Sequence, residues 1–171
     1  MVVRSLALRT APREALLEYH VRSARLTDVD AAIRILLRDA RDPGEQRDDA
    51  DRLRSLLYLP AATVVVAEAG RQIVGVGVLS MRPSVRSGPF VGVIDELAVD
   101  GSTGGAAGAA SRADTARRRQ VAASMIEQLV ASARNKGCAR VEVADPLASA
   151  EATLLKGVGF ERSGKLLSRA T

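Results

Sequence analysis

The chain has one cysteine, one histidine, two phenylalanines, two tyrosines and no tryptophan in 171 residues. Cys138 alone cannot close an internal disulfide, and no Cys/His cluster is present to hold a structural zinc. With His20 as the single imidazole, a histidine-based triad or metal site lacks its parts. At 2% aromatic residues there are almost no platforms on which single-stranded nucleic acid could stack. No apolar run approaches the roughly 18 residues a membrane-spanning helix needs. The first residues contain neither a long apolar core nor a clear small-residue cleavage site. A secretory signal is therefore not expected, and the expected location is the cytoplasm.

What is present fits one globular domain. Apolar residues make up 47% and charged residues 26%, enough apolar content to offset the entropy of ordering and to exclude a disordered tail. The net charge is +5, and among the 25 basic residues the lysines are only Lys136, Lys156 and Lys165. Two readings of this arginine excess stand: the composition of a GC-rich genome, or an anionic partner. A nucleic-acid partner is not expected, because there is no helix-turn-helix signal and no aromatic interleaving; a membrane partner is not expected either.

The pattern along the chain predicts β–α–α–β–β–β–loop–α–β–α–β. Residues 1–19 read as an N-terminal extension with a short helix over 12–19, and 20–171 as the domain. A first strand is expected at 20–25. Thr27 then starts a helix as a hydroxyl cap, with Asp28 and Asp30 in its first turn, and Val29, Ile33, Leu36 and Leu37 form its apolar stripe. Asp42-Pro43-Gly44 breaks the pattern. A second helix over 45–59 turns Leu53, Leu56 and Leu57 inward. Residues 63–68 and 72–81 read as a hairpin around Ala69-Gly70-Arg71. Gly75 and Gly77 inside its second strand mark a bulge, a close backbone approach, or mere tolerance of small residues. Residues 90–99 form a third strand of this group. Residues 101–116 are small and polar and read as a flexible loop. A long helix follows over 117–135, with Val121, Met125, Ile126, Leu129 and Val130 buried and Lys136-Gly137 as its C-terminal cap. A strand at 139–144, a helix at 147–156 and a final strand at 161–167 complete the chain.

Two places carry chemistry. Arg117, Arg118 and Arg119 open the predicted long helix. A helix N-terminus offers unpaired N–H groups and partial positive charge, which suits a pyrophosphate. Three cations there disfavour the helix by itself, so they make sense with a phosphate docked among them; the other reading is a solvated cluster set by composition. Asp95 and Glu96 are neighbours in a strand and so point to opposite faces, with one of them available to a given cleft; the alternative is that both are simply solvated. Cys138 reads as an inert core thiol, having no histidine nearby to activate it, and His20 as structural. The acids Asp39, Asp42, Glu45, Asp48, Asp49 and Asp51 lie among Arg38, Arg41, Arg47, Arg52 and Arg54, the mark of a solvated helix face.

In order and spacing, four segments resemble the GNAT superfamily of acyl-CoA-dependent N-acyltransferases over residues 20–167. They are Val21-Arg-Ser-Ala-Arg-Leu-Thr-Asp-Val-Asp, Ile73-Val74-Gly75-Val76-Gly77-Val78, Ile94-Asp95-Glu96-Leu97-Ala98-Val99 and Leu154-Leu155-Lys156-Gly157-Val158-Gly159-Phe160. The resemblance implies an α/β (α+β) fold with a mixed, mostly antiparallel sheet flanked by helices. It implies acetyl-CoA as acyl donor, direct transfer to a primary amine of a small molecule or protein, and no metal. Glu96 is then the candidate base, or Asp95 if the strand bulges there as the family's does. Residues Leu97, Ala98 and Val99 would run beside the pantetheine arm. Arg117, Arg118, Arg119, Gln120, Val121, Ala122 and Ala123 would hold the rest of the donor. By the same resemblance, the acids between the first two helices would wall the acceptor site.

Three features depart from the pattern. Gln120 stands where the acyl-CoA loop, Arg/Gln-x-x-Gly-x-Gly/Ala, has its first glycine. Leu155 stands where many members have a tyrosine. A seventh strand is not visible, and a homodimer that completes the sheet is one way to supply it. The alternative to an enzyme is a degenerate binding or regulatory protein on the same fold.

Overall fold

β-branched runs build the centre of the molecule. The structure, a computed structural model, describes residues 18–37, 43–86, 88–100, 112–143 and 145–161. Five strands, β1 (Tyr19–Ser23), β2 (Ala62–Ala69), β3 (Gln72–Pro83), β4 (Phe90–Val99) and β5 (Cys138–Val143), form one sheet in that spatial order. The first four are antiparallel and β5 joins β4 in parallel. Val64, Val65, Val66 and Ala67 are all buried, as a strand covered on both faces requires. The β2–β3 hairpin turns through Gly70 and Arg71, both at positive φ (54° and 69°), the geometry that matches strand twist in a two-residue hairpin.

Helices cover both faces. Against one lies α3 (Arg112–Asn135), whose Met125, Ile126 and Leu129 share a core with Val65, Leu79 and Ile94. Against the other lie α1 (Val29–Leu36) and α2 (Pro43–Tyr58), packed with Val64, Val76 and Val78. Two short helices, α4 (Leu147–Ala150) and α5 (Ala152–Gly157), follow β5. This is the mixed, mostly antiparallel sheet flanked by helices that the resemblance implied. No helix among the described residues is long and apolar enough to cross a membrane.

Several boundaries differ from the sequence pattern, each for a local reason. The first strand starts at Tyr19, so the last residue of the expected extension belongs to the sheet. Pro43 and Gly44 lie in the first turn of α2 instead of before it; a proline is tolerated there because that N–H has no helical partner anyway. The buried face of α1 is Val29, Ala32, Ile33 and Ile35, with Leu36 and Leu37 only partly covered. In α3, Ala133 is buried and Val130 only partly so. The expected helix over 147–156 is two helices jointed at Glu151. The extension up to residue 17, residues 101–111 and all but the first residue of the expected final strand lie outside the described residues.

Gly75 and Gly77 serve close approach. A Cβ at Gly75 would sit 2.8 Å from the Met125 Sδ, and one at Gly77 would sit 3.1 Å from the Leu129 Cδ1. The β2–β3 register also slips next to Gly75, where Glu68 pairs with Ile73 and Ala67 with Gly75. The far end of α3 is anchored by Lys136, whose Nζ donates to the Pro60 and Ala62 carbonyls, each at 2.7 Å. Gly137 follows at φ +81°, the left-handed residue that ends many helices.

Thr27 does not cap α1. Leu26–Asp28 form one 3-10 turn, and Asp28 is buried. Its carboxylate accepts the Arg25 N–H at 2.7 Å and both oxygens accept from Arg22, at 2.7 and 3.0 Å. Arg22 Nε also donates to Glu68 at 2.8 Å, so one guanidinium ties β1 to β2 and to the start of α1. The hydrogen bonds from Arg22, against the opposing effect of burial, hold the Asp28 carboxyl below its usual range, helped by the Arg25 N–H.

Asp28→Ala should therefore destabilise the fold at pH 7. The cost should lie at or a little below the roughly 3–5 kcal/mol of a broken fully buried pair, because the Arg22 side chain keeps 20% exposure. The folded pKa lies below the unfolded value of about 3.9. The contribution of Asp28 is thus complete above that pH and fades as pH falls through the folded pKa. Urea unfolding of both proteins at pH 7 and near pH 3 checks this; the gap between them should narrow in acid.

Candidate functional site

The two halves of β4 have different neighbours. As far as Ile94, which pairs with Val143, the strand runs between β3 and β5. β5 ends there, and β4 continues for five residues with β3 as its one strand neighbour among the described residues. A cleft of about 270 Å³ opens beside this second half. β4 contributes Leu97, Ala98 and Val99, and α3 contributes Arg118, Arg119 and Ala122. Ile35, Leu36 and Leu37 close it from α1, and Glu151 and Leu154 from the α4–α5 joint.

A bulge changes the parity of the two acids. Val78 pairs with Glu96 but Leu79 with Ile94, so Asp95 is an extra residue on β4. Ile94 and Leu97 both pack on the α3 side, and directly paired residues share a face. Glu96 therefore shares the α1–α2 face with Val78, and Asp95 occupies the same inserted step. The insertion is a bulge of the kind that the resemblance implied, and it interrupts the regular alternation of the two acids. Both acids are exposed, and neither lines the cleft.

A correction concerns the arginines. α3 begins at Arg112, five residues earlier than the pattern predicts, which also makes 112–116 helical instead of loop. Arg117, Arg118 and Arg119 thus lie in the second turn. The amides from residue 116 onward are committed to carbonyls one turn back, so the triplet presents its side chains and not a helix N-terminus. Arg118 and Arg119 reach the cleft, while Arg117 and Val121 line a small neighbouring pocket with Val99 and Asp100. Val121 and Ala122 are buried. Gln120 and Ala123 line neither space; the Gln120 carbonyl lies 3.4 Å from the Tyr19 hydroxyl, which also bonds Ser124 at 2.9 Å.

Glu151 was not singled out by its sequence. Its Oε1 lies 3.4 Å from Arg118 Nη2, spanning from the α4–α5 joint to α3. The available signal was a lone carboxylate in the otherwise uncharged run from Leu147 to Leu155. Leu155, at the position where the resemblance suggests a tyrosine, is buried in the core, and Leu154 beside it is the residue that reaches the cleft. Cys138 packs against the same core, and burial pushes its thiol pKa up, away from the thiolate a nucleophile needs. On α2, Arg52 pairs with Asp49 at 2.6 Å, and Arg54 with Asp51 at 2.7 Å and with Asp30 of α1 at 3.2 Å. Asp39 and Asp42 lie outside the described residues.

Comparison with protein families matches residues 29–160 to the Acetyltransferase (GNAT) family. The chain belongs to that family. None of the curated proteins is similar enough in sequence to match. Among solved structures, the chain resembles the aminoglycoside N-acetyltransferase AAC(6')-Iy in complex with CoA, with a TM-score of 0.70 at 16% identity, covering 90% of this chain and 95% of that one. It also resembles the aminoglycoside 6'-N-acetyltransferase AAC(6')-IG from Acinetobacter haemolyticus, at 0.67 and 16%, covering 89% and 97%. A third neighbour is glucosamine-6-phosphate N-acetyltransferase from Arabidopsis thaliana, at 0.67 and 15%, covering 90% and 98%. At these identities the likeness establishes a shared fold.

Because Leu155 is a core residue here, Leu155→Tyr should overpack the seat of α5 against α3. The expected loss is about 1–3 kcal/mol, measured as a lowered urea midpoint with an unchanged slope.

Proposed function

We propose that the chain is an N-acetyltransferase that moves an acetyl group from acetyl-CoA to a primary amine by direct transfer within a ternary complex. The observation that carries this reading is the cleft beside the second half of β4, with two arginines at one wall. The residues suit an anionic acyl donor with a thin apolar arm. Arg118 and Arg119, with Arg117 in the adjoining pocket, supply cations for the diphosphate. Leu97, Ala122 and Leu154 supply apolar contact for the pantetheine arm. The amides of 117–123 are spent within the helix, so Gln120, Val121 and Ala123 support the site through the helix and not as a glycine-rich cradle.

Bound acetyl-CoA would supply the thioester carbonyl. The Asp100 N–H donates to Val74 of β3 at 2.7 Å, and ladder bonds alternate along an antiparallel strand. The Leu97 N–H therefore points to the cleft edge, where it can polarise a carbonyl oxygen. Glu96, or Asp95 at the bulge, takes the proton from the acceptor ammonium, directly or through water. The C–S bond breaks as the thiolate departs, and the second proton of the attacking nitrogen passes to that sulfur, whose thiol has a reference pKa of about 8.5, so no tyrosine acid is required. The acceptor class at this level is a primary amine.

A second reading, a GNAT-fold binding or regulatory protein, is favoured by the helical commitment of the 117–122 amides. Calorimetric titration with acetyl-CoA, using desulfo-CoA and ADP as controls, separates the two. A dissociation constant below about 100 µM, near the lower half of common substrate affinities, is expected for the enzyme; no binding at millimolar acetyl-CoA would leave the binding protein. Glu96→Gln should lower turnover about 10²–10⁴-fold, the usual worth of a positioned base, with acetyl-CoA binding retained. Equal turnover would remove Glu96 from the mechanism.

A further inference from the structure

The cleft holds a carboxylate of its own. Glu151 is the joint between α4 and α5, and its backbone is fixed from both sides. Its N–H donates to the Leu147 carbonyl at 3.0 Å, and its own carbonyl accepts the Leu155 N–H at 2.9 Å. The side chain is thus delivered to the cleft by the fold of the joint, where its partner among the described residues is Arg118 at 3.4 Å. That separation is longer than the roughly 2.7–2.9 Å of a strong charge-assisted hydrogen bond. The pair is also partly exposed, at 47% for Arg118 and 28% for Glu151. Pairs of this kind contribute little and exchange partners readily.

We propose that Glu151 tunes the affinity of the cleft for its donor by competing with the donor's diphosphate for Arg118. This rests on the acyl-CoA reading of the same cleft. Removing the Glu151 charge frees the guanidinium, and that tightens binding of a diphosphate.

The test is calorimetric titration of acetyl-CoA into the full chain, the variants Glu151→Gln, Arg118→Ala and their combination, and Glu127→Gln as a control on the exposed face of α3. Circular dichroism of each variant establishes that it is folded, and Glu151→Ala provides a second replacement. Glu151→Gln should tighten binding about 2–5-fold, the fold-change an exposed ion pair is worth. The gain should vanish in the Arg118→Ala background, and Glu127→Gln should bind like the unmodified chain. Unchanged or weaker binding by Glu151→Gln overturns the proposal. So does a gain that persists without Arg118, or an equal gain from Glu127→Gln, since either means general repulsion. If the unmodified chain binds acetyl-CoA and Glu151→Gln matches it, the competition falls and the acetyltransferase reading stands. If neither chain binds at millimolar concentration, the acetyl-CoA reading itself falls, and the competition with it.

Discussion

The cleft depends on how closely α3 approaches β3. Met125 and Leu129 occupy the space above Gly75 and Gly77 that side chains would otherwise take. A helix seated this deeply is fixed in rotation as well as distance, because its knobs have one pair of holes. Ala122 comes three residues before Met125, and Arg118 and Arg119 one turn before Ala122 and Ala123, so the seat also fixes the helical wall of the cleft. The Tyr19–Ser124 hydrogen bond holds the same stretch from the β1 side. A larger residue at Gly75 would first displace the Met125 thioether on which this seat rests.

On the other wall, the functional geometry comes from a strand whose two neighbours stop at different places. β3 accompanies β4 to its end, whereas β5 leaves after Ile94. The bulge at Asp95 falls at the change of regime. It turns the following residues so that Leu97 and Val99 pack on the α3 side while Ala98 packs with α1 and α2. Glu96 thus shares the α1–α2 face with Ala98, while Leu97 and Val99 take the other.

Much of the architecture is legible from periodicity and turn chemistry. The valine runs, the Gly70-Arg71 turn, the long amphipathic helix and the Gly137 cap all follow from local preferences that agree with the fold. The site was less legible. The start of α3 was missed because Arg112, Ala113, Asp114, Thr115 and Ala116 contain nothing large to bury, and a helical turn exposed to solvent leaves no apolar period to read. The parity of Asp95 and Glu96 stayed open between a regular strand and the bulge that the resemblance implied, because a bulge is a property of the pairing between two strands, absent from either strand alone. Asp28 looked like a first-turn acid, as its sequence neighbours suggest; that it is buried against Arg22 depends on the tertiary placement of β1. The arginine excess was ambiguous as a composition, and its pairing is resolved only by position: Arg22, Arg52, Arg54, Arg82 and Arg140 each meet a carboxylate.

Lys136 has a further consequence. Its ammonium spends two of its three donors on the Pro60 and Ala62 carbonyls, whereas Lys156 is exposed. Amine-directed reagents, such as succinimidyl dyes or surface-coupling chemistries, should therefore discriminate between these two lysines. Slow acylation at Lys136 reports that the α2–β2 connection is still tethered to the end of α3, and its acceleration marks the moment that tether opens.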